Sequence, residues 1–419
     1  MTYVAAIATY LPCWGSARGR VAGGDEDAVT LAVEAGRAAI GAADEGVADL
    51  GSDGQGGVRR VVLVSRELPL LEGGNAAVLL GGLGLDPGTE VTERLGGAPA
   101  AIDALTSAPP GTLVIAADVQ PAAGGAAALV ADSGLRLTPA ARLARSLPVR
   151  TRSAAGEVHD YGDPRLLRER GVPASIAQLT ADTADRPLAL AGVDPRQAAA
   201  VCTGQPPALP TTGASSALFA LAALAESRSP GLLLAAEQAT LSGVQVGDGI
   251  AQVRRLEPPA QQPATGTFTP GKEIPISLAA YDRAFTAKVR FEAGQQAATG
   301  ELDFPPRYRV GPDGALQTDY TLVPLPRTGT VYTGVTVRIP VPGLETPYSL
   351  VIVELDDVGV RVLARVTGAA PGTVGIGDRG RMVLRRVAVR SGVPDYGYAF
   401  CPGDRPGEAQ EKTRTRSGA

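Results

Sequence analysis

The chain has 419 residues, too many for one ordinary hydrophobic core, so two or three domains are expected. Hydrophobic residues make up 44% and charged residues 20%, with 53 Gly, 34 Pro and only 4% aromatics, so the cores must be built from Ala, Val and Leu. A net charge of −4 gives no electrostatic reason to expect nucleic acid or an anionic membrane as partner, and the local group Arg379, Arg381, Arg385 and Arg386 reads as a solvated strand face.

Cys13, Cys202 and Cys401 lie far apart and form no CxxC pair, so spacing yields neither a disulfide framework nor a zinc site. No stretch of 18 apolar residues is free of charge or proline, and the opening MTYVAAIATYLPCW lacks a basic leader region. A cytoplasmic, reduced protein is expected.

Strand and helix alternate over the first 255 residues. YVAAIATYL (3 to 11) and VRRVVLVS (58 to 65) read as strands, and DEDAVTLAVEAGRAAIGAA (25 to 43) as a helix with acidic residues at its start. TLVIAADV (112 to 119) is a buried strand, followed by GGAAALVAD (124 to 132), a glycine-hinged strand. His159, Asp160, Tyr161 and Asp163 form VHDYGD, a compact titratable loop followed by the helix DPRLLRERG (163 to 171). The earlier order then recurs: AAAVCTG (198 to 204) as a strand, the helix 213 to 226, GLLLAAEQ (231 to 238) and LSGVQVGDG (241 to 249). Two similar halves, about 1–140 and 150–255, indicate an internally duplicated α/β layered fold.

LEPPAQQPATGTFTPG opens a linker, placed at 256–272. Beyond it come short β-runs at 330–339, 348–355, 360–368 and 381–389, separated by Pro and Gly turns, the pattern of a small antiparallel barrel. The polar tail 401–419 reads as disordered.

In their order, these segments resemble the thiolase superfamily, nearest to hydroxymethylglutaryl-CoA synthase and ketosynthase III-type enzymes. The segments are ATYLP (8 to 12), GDEDAVTLAVEAGRAA (24 to 39), VVLVSRELP (61 to 69), TLVIAADV with GGAAALVAD, and GASSALFALAALAE (213 to 226). Downstream, DFPPRY (303 to 308), RTGTVYT (327 to 333), PYSLVIVELDD (347 to 357) and GIGDRGRMV (375 to 383) resemble a thiolase-associated OB-fold domain that follows a zinc ribbon. The resemblance implies a thiolase-like αβαβα domain over 1–255, a degenerate ribbon with a leading helix at 273–328 and an OB-fold at 329–400.

In that family a cysteine at a helix N-terminus attacks an acyl thioester, assisted by a histidine and by an asparagine or second histidine. The cysteine belongs just before a small-residue helix, here VTERLGGAPAAIDAL (91 to 105), and its place falls at Arg94 to Gly96, about Leu95. The histidine turn falls on Gly204-Gln205-Pro206, and the asparagine on Thr211 of PTTG. All three reacting side chains are absent, and such losses cost several orders of magnitude in rate. The ribbon's paired cysteines are missing from AATGEL and RVGPDGALQ as well, so no zinc is expected and packing must hold that loop.

Surrogates are few. Cys202 reads as a buried small hydrophobe two residues from the histidine position; His159 and Tyr161 are candidate acid/base groups in a loop that approaches the family's active-site mouth. No phosphate-cradle motif occurs, and Tyr332 and Tyr348 of the barrel lack an organised basic stripe for nucleic acid.

The resemblance therefore implies a catalytically degenerate accessory subunit of a condensing or acyltransferase complex in secondary or lipid metabolism. It would form a homo- or hetero-oligomer with a thiolase- or ketosynthase-fold catalytic subunit. The ligand expected is an acyl-CoA or phosphopantetheine thioester, with no bound cofactor. The alternative is an acyltransferase or aldol-type lyase with relocated residues.

Overall fold

The computed structural model describes residues 1–17, 19–46, 57–71, 74–145, 147, 149–153, 156–180, 186–263, 266–272 and 275–403. They fall into two compact units, the first made of 1–22 and 27–261, the second of 23–26 and 262 onward.

The first unit begins with β1 (Thr2–Tyr10) and α1 (Ala28–Gly46), then β2 (Arg60–Ser65), α2 (Ala76–Leu83), β3 (Glu90–Leu95), α3 (Ala98–Ser107), β4 (Thr112–Asp118) and β5 (Gly124–Ala131). The long β6 (Leu135–Ala144) and the small hairpin β7 (Arg150–Arg152) and β8 (Val158–Asp160) lead to α4 (Pro164–Arg170) and α5 (Val172–Thr180). The second half is β9 (Ala189–Ala191), α6 (Pro195–Val201), α7 (Ser215–Ser227), β10 (Gly231–Ala236), β11 (Thr240–Val246) and β12 (Gln252–Leu256).

Ten strands form one mixed sheet in the order β9-β10-β11-β6-β1-β5-β4-β2-β3, with β12 beside β1. Each half carries the same motif, a parallel pair whose inner strand turns into an antiparallel hairpin: β2 with β4 and β5, then β9 with β10 and β11. Period-two alternation of side chains assigns the layers. On β10, Leu233 and Ala235 join the central core with α3 and α7, whereas Leu234 and Ala236 pack with Val172 and Ile176 of α5 and Ala198 of α6. On β4, Val114 and Ala116 face the same central core, while Leu113 and Ile115 lie where a side chain on Gly36 of α1 would strike them. The layers therefore run α1 and α2, half-sheet, α3 and α7, half-sheet, α5 and α6. This is the αβαβα layer order expected from the sequence.

A helix sheathed on both sides must be apolar all round, and α7 is: Ala217 to Ala222 are all buried. α1 is started by Asp27, whose Oδ1 accepts the N–H groups of Val29 and Thr30 at 3.1 and 3.0 Å.

Two expectations fail locally. Residues 198–204 are not a strand, because Asp194 caps and Pro195 opens α6, and that start signal turns the following alanine run helical; the strand of this half is β9. Residues 91–95 are strand β3, and the helix begins only after the Gly96-Gly97 break.

The second unit holds α8 (Leu278–Phe285), then β13 (Glu292–Gln296), β14 (Leu302–Asp303) and β15 (Tyr320–Pro324) in a three-stranded sheet. A five-stranded sheet follows: β16 (Thr328–Val337), β17 (Tyr348–Leu355), β18 (Arg361–Arg365), β19 (Arg379–Arg390) and β20 (Val393–Pro402), ordered β18-β17-β16-β19-β20. A parallel bridge between Val366 and Phe400 curls it toward closure, around a core that includes Phe291, Val353, Met382 and Phe400. Cys401 and Pro402, expected in a disordered tail, belong to β20; residues 404–419 of that tail lie outside the described residues.

Two charged features of this unit differ from expectation. Arg385 does not lie on a solvated face: its side chain is buried and pairs with Glu26 at 3.2 Å. In the ribbon region the buried Asp303 collects Arg309 Nε at 2.6 Å, Gln296 Nε2 at 2.8 Å and Arg307 Nε at 3.0 Å. The loop is thus tied by a hydrogen-bonded ion cluster rather than by apolar packing alone. The Arg309 hydrogen bond, with those from Gln296 and Arg307, holds the Asp303 carboxyl down to about 2.

Candidate functional site

The C-terminal ends of the parallel strands β2, β4, β9 and β10 and the N-termini of α3 and α7 converge at the middle of the first unit, the position at which layered α/β folds concentrate their polar groups. Four residues that immediately follow or end these strands define the place: Arg66 after β2, Asp118 at the end of β4, Gly192 after β9 and Glu237 after β10.

Asp118 and Glu237 are counterparts in the two halves, since TLVIAAD (112 to 118) and GLLLAAE (231 to 237) superpose residue for residue in sequence. Each serves the central helix of the other half. Asp118 accepts the N–H of Ala214 at 2.7 Å, the N–H of Ser215 at 2.8 Å and the Ser215 hydroxyl at 2.5 Å, which satisfies the start of α7. The Ser215 hydroxyl spends its one proton on Asp118, so the hydroxyl of the buried Thr211, 2.7 Å away, donates to Ser215. Glu237 lies against the start of α3, where a Cβ on Gly97, its N-cap, would stand 2.1 Å from Oε1. Arg66 donates to Glu237 and sits equally close to Gly97.

The partial positive charge at each helix N-terminus and the Arg66 guanidinium attract the two carboxylates, and the charges of Arg150, Glu67 and Asp160 act on Arg66 as well. Burial pushes the Asp118 carboxyl up, against the pull of the Ser215 and Ala214 donors and of Arg66. Burial pushes Arg66 down, against the attraction of Asp118.

Chemically, this occupies the feature that thioester chemistry needs. A helix N-terminus activates a thiol or steadies an oxyanion only while its free N–H groups point at the reacting atom; here Asp118 takes the first N–H groups of α7, while Glu237, held by Arg66, lies beside Gly97 at the start of α3. Space is lacking too: a Cβ on Gly213 would fall 1.9 Å from Asp118 Oδ1, and one on Gly192, which has φ +85°, would meet Ala236 O at 2.3 Å and Ala98 Cβ at 3.1 Å.

The residues singled out from sequence are scattered around this cluster. Arg94 is engaged with Asp103 at 3.3 Å, and Leu95 is exposed at the end of β3; Gly97, two residues on, is what faces the cluster. Gly204 is exposed in the loop after α6, and no atom lies within 4 Å of a Cβ built on it. The turn that follows the strand of this half is Gly192–Asp194. Thr211 alone joins the cluster, through Ser215.

Cys202 caps α6 in the outer apolar layer, and burial pushes its thiol up to about 11, leaving it protonated at neutral pH. His159 and Tyr161 are exposed, their rings 6.4 Å apart, with His159 Nε2 3.7 Å from Glu157. Their hairpin nonetheless neighbours the cluster, because Arg152 donates to the Arg66 carbonyl at 3.1 Å and the charges of Arg150 and Asp160 act on Arg66.

Arg66, Gly97, Asp118, Gly192 and Glu237 carry no family motif. Their readable signal is the repeated apolar strand that ends in an acid in each half. A cavity of about 440 Å³ opens at the other end of α3, lined by Arg94, Asp103, Thr106 and Arg142. Among the described residues no group of three or more His, Cys, Asp or Glu side chains gathers to hold a metal, and no helix is long and apolar enough to cross a membrane.

Residues 322–385 match the ChsH2 C-terminal OB-fold domain. The matched stretch of this OB-fold domain runs from β15 into β19 and contains β16, β17 and β18. No curated protein matches the chain by sequence. Among solved structures, a 3-oxoacyl-(acyl-carrier-protein) synthase III is similar at 18% identity and a TM-score of 0.44, over 59% of this chain and 99% of that one. The HMG synthase of the curacin biosynthetic pathway follows at 14% and 0.44, over 60% and 80%. An Ltp2-ChsH2(DUF35) aldolase is similar at 24% and 0.24, over 34% and 98%. Likeness at this distance assigns no activity.

Proposed function

We propose that the chain is a catalytically degenerate thiolase-like subunit that supports a cysteine-bearing, thiolase-fold partner acting on acyl thioesters. The observation that carries this reading is the exchange of carboxylates at the centre of the fold. Asp118 occupies the start of α7, Glu237 with Arg66 lies against the start of α3, and Gly192 and Gly213 leave no room for reacting side chains. A cluster of this kind, with Asp118 buried and the Arg66–Glu237 pair half-buried, fixes the scaffold and leaves the chemistry to a partner.

The partner surface in this reading is the edge of β3, which among the described residues pairs only with β2 and leaves one row of backbone donors and acceptors open to another strand. The OB-fold domain would then help to seat the acyl thioester, a carrier-bound or CoA-bound group of secondary or lipid metabolism.

Native mass spectrometry of the protein purified gently from its own host tests the reading. A stoichiometric synthase-sized partner that carries a reactive cysteine is the expected result; a homodimer that turns over an acyl thioester alone would overturn it.

A second reading, an acyltransferase or aldol-type lyase with relocated residues, draws on the placement of the His159 and Asp160 hairpin beside Arg66. It requires that His159→Ala abolish turnover in a panel of acyl thioesters; unchanged turnover would end it.

A further inference from the structure

The barrel presents an outward face that the described residues of the second unit leave exposed. Along β17 the residues alternate: Val351, Val353 and Leu355 are buried in the core, and Tyr348, Leu350, Ile352 and Glu354 point outward. The register places Val335 of β16 opposite Leu350 and Leu363 of β18 opposite Ile352. The solvent side of an antiparallel sheet is ordinarily polar. Here four aliphatic side chains adjoin, with Leu363 67% and Val335 59% exposed.

The charges on this face are arranged as well. Arg361 lies over the Tyr332 ring at 3.6 Å and bonds Glu354 at 2.7 Å, which neutralises that end. At the other end Arg365 lies over Tyr348 at 4.8 Å, and among the described residues it has no carboxylate partner. Stacking fixes both guanidiniums while their N–H edges stay available. Apolar residues at the centre with Tyr and Arg at the border make the composition of a protein-binding hot spot.

We infer that the outward face of β16, β17 and β18 docks a partner protein that presents an apolar ridge with a carboxylate set to meet Arg365. Charge decides among occupants. The face carries one unneutralised cation, too few for a nucleic-acid backbone, which takes several phosphate contacts; a second copy of the same face would bring like charge against like. This inference lies within the second unit and does not rest on the accessory role proposed above.

The test uses the full-length chain, immobilised and panned against a displayed library of random peptides. The expected outcome is enrichment of peptides with alternating aliphatic and acidic residues. A synthetic representative should lose at least about tenfold in affinity on Arg365→Glu and on Leu363→Asp, both at unchanged melting temperature. Exchanging the peptide carboxylate for lysine should restore binding to the Arg365→Glu chain.

Any of four results would overturn the inference: no enrichment; peptides indifferent to both substitutions; oligothymidylate binding lost on Arg365→Glu; or self-association, seen by sedimentation, abolished by Leu363→Asp.

Discussion

Asp118→Ala removes the acceptor of three buried donors at the start of α7: the N–H groups of Ala214 and Ser215 and the Ser215 hydroxyl. A lost N-cap costs about 1 kcal/mol, and each buried donor left without a partner about 1–3 kcal/mol. Removing a carboxylate whose ionised form burial already disfavours returns part of this. A net loss of about 3 kcal/mol is expected, or roughly 6–12 °C in melting temperature for a unit of this size. Urea unfolding followed by the fluorescence of Trp14, the only tryptophan and part of the same unit, measures it. Asp118→Asn, which keeps an acceptor, should lose less. The pH dependence has a definite sign. Because the folded carboxyl titrates above its ordinary value, wild type gains on Asp118→Asn as pH falls through that raised pKa toward the unfolded one. Stability of Asp118→Ala within about 0.5 kcal/mol of wild type would refute the claim that this carboxylate secures α7.

The other expectations concern the same centre and the ion cluster of the second unit. Gly213→Ala should destabilise by about 2–3 kcal/mol, because its Cβ meets a carboxylate pinned by three hydrogen bonds; Gly97→Ala should cost less, and Glu237→Ala should partly suppress it, since the obstruction is the mobile end of an ion pair. A double-mutant cycle in denaturant measures this coupling, and strict additivity would count against the plugged helix. Asp303→Asn should lower the melting temperature by several degrees, while a chelator leaves wild type unchanged; the stability Asp303 contributes is present above the ordinary carboxylate pKa and is lost as pH falls toward about 2. Circular dichroism melts in acid and with EDTA check both. Cys202 should resist iodoacetamide at pH 8 in the folded chain and react once urea exposes it, because its thiol stays protonated up to about pH 11; intact-mass labelling reads this.

Much of the fold is legible in the chain. The apolar strands 3–11, 58–65, 112–119 and 231–238, the helices 25–43 and 213–226 and the barrel runs are read at or near their observed limits. Period, length and turn residues specify them locally. The two misread segments show where local information stops. AAAVCTG suits a strand or a helix equally until Asp194 and Pro195 start the helix upstream, and in VTERLGGAPAAIDAL one continuous small-residue run hides a strand, a glycine break and a helix.

The site divides along the same line. The places that the resemblance implies for reacting residues, near Leu95, Gly204 and Thr211, are readable from order alone. The cluster at the strand ends is not. Asp118 and Glu237 look like ordinary ends of buried strands, and Gly97 and Gly213 like ordinary breaks before helices. Only the duplication, which lays each half's helix against the other half's strand ends, brings a carboxylate from residue 118 to an amide at 214 and Glu237 beside a glycine at 97. Sequence alone determined most of the elements and the doubling. The tertiary structure decided which strand ends meet which helix starts, because contacts between residues about a hundred positions or more apart follow from how the layers stack, which no local propensity encodes.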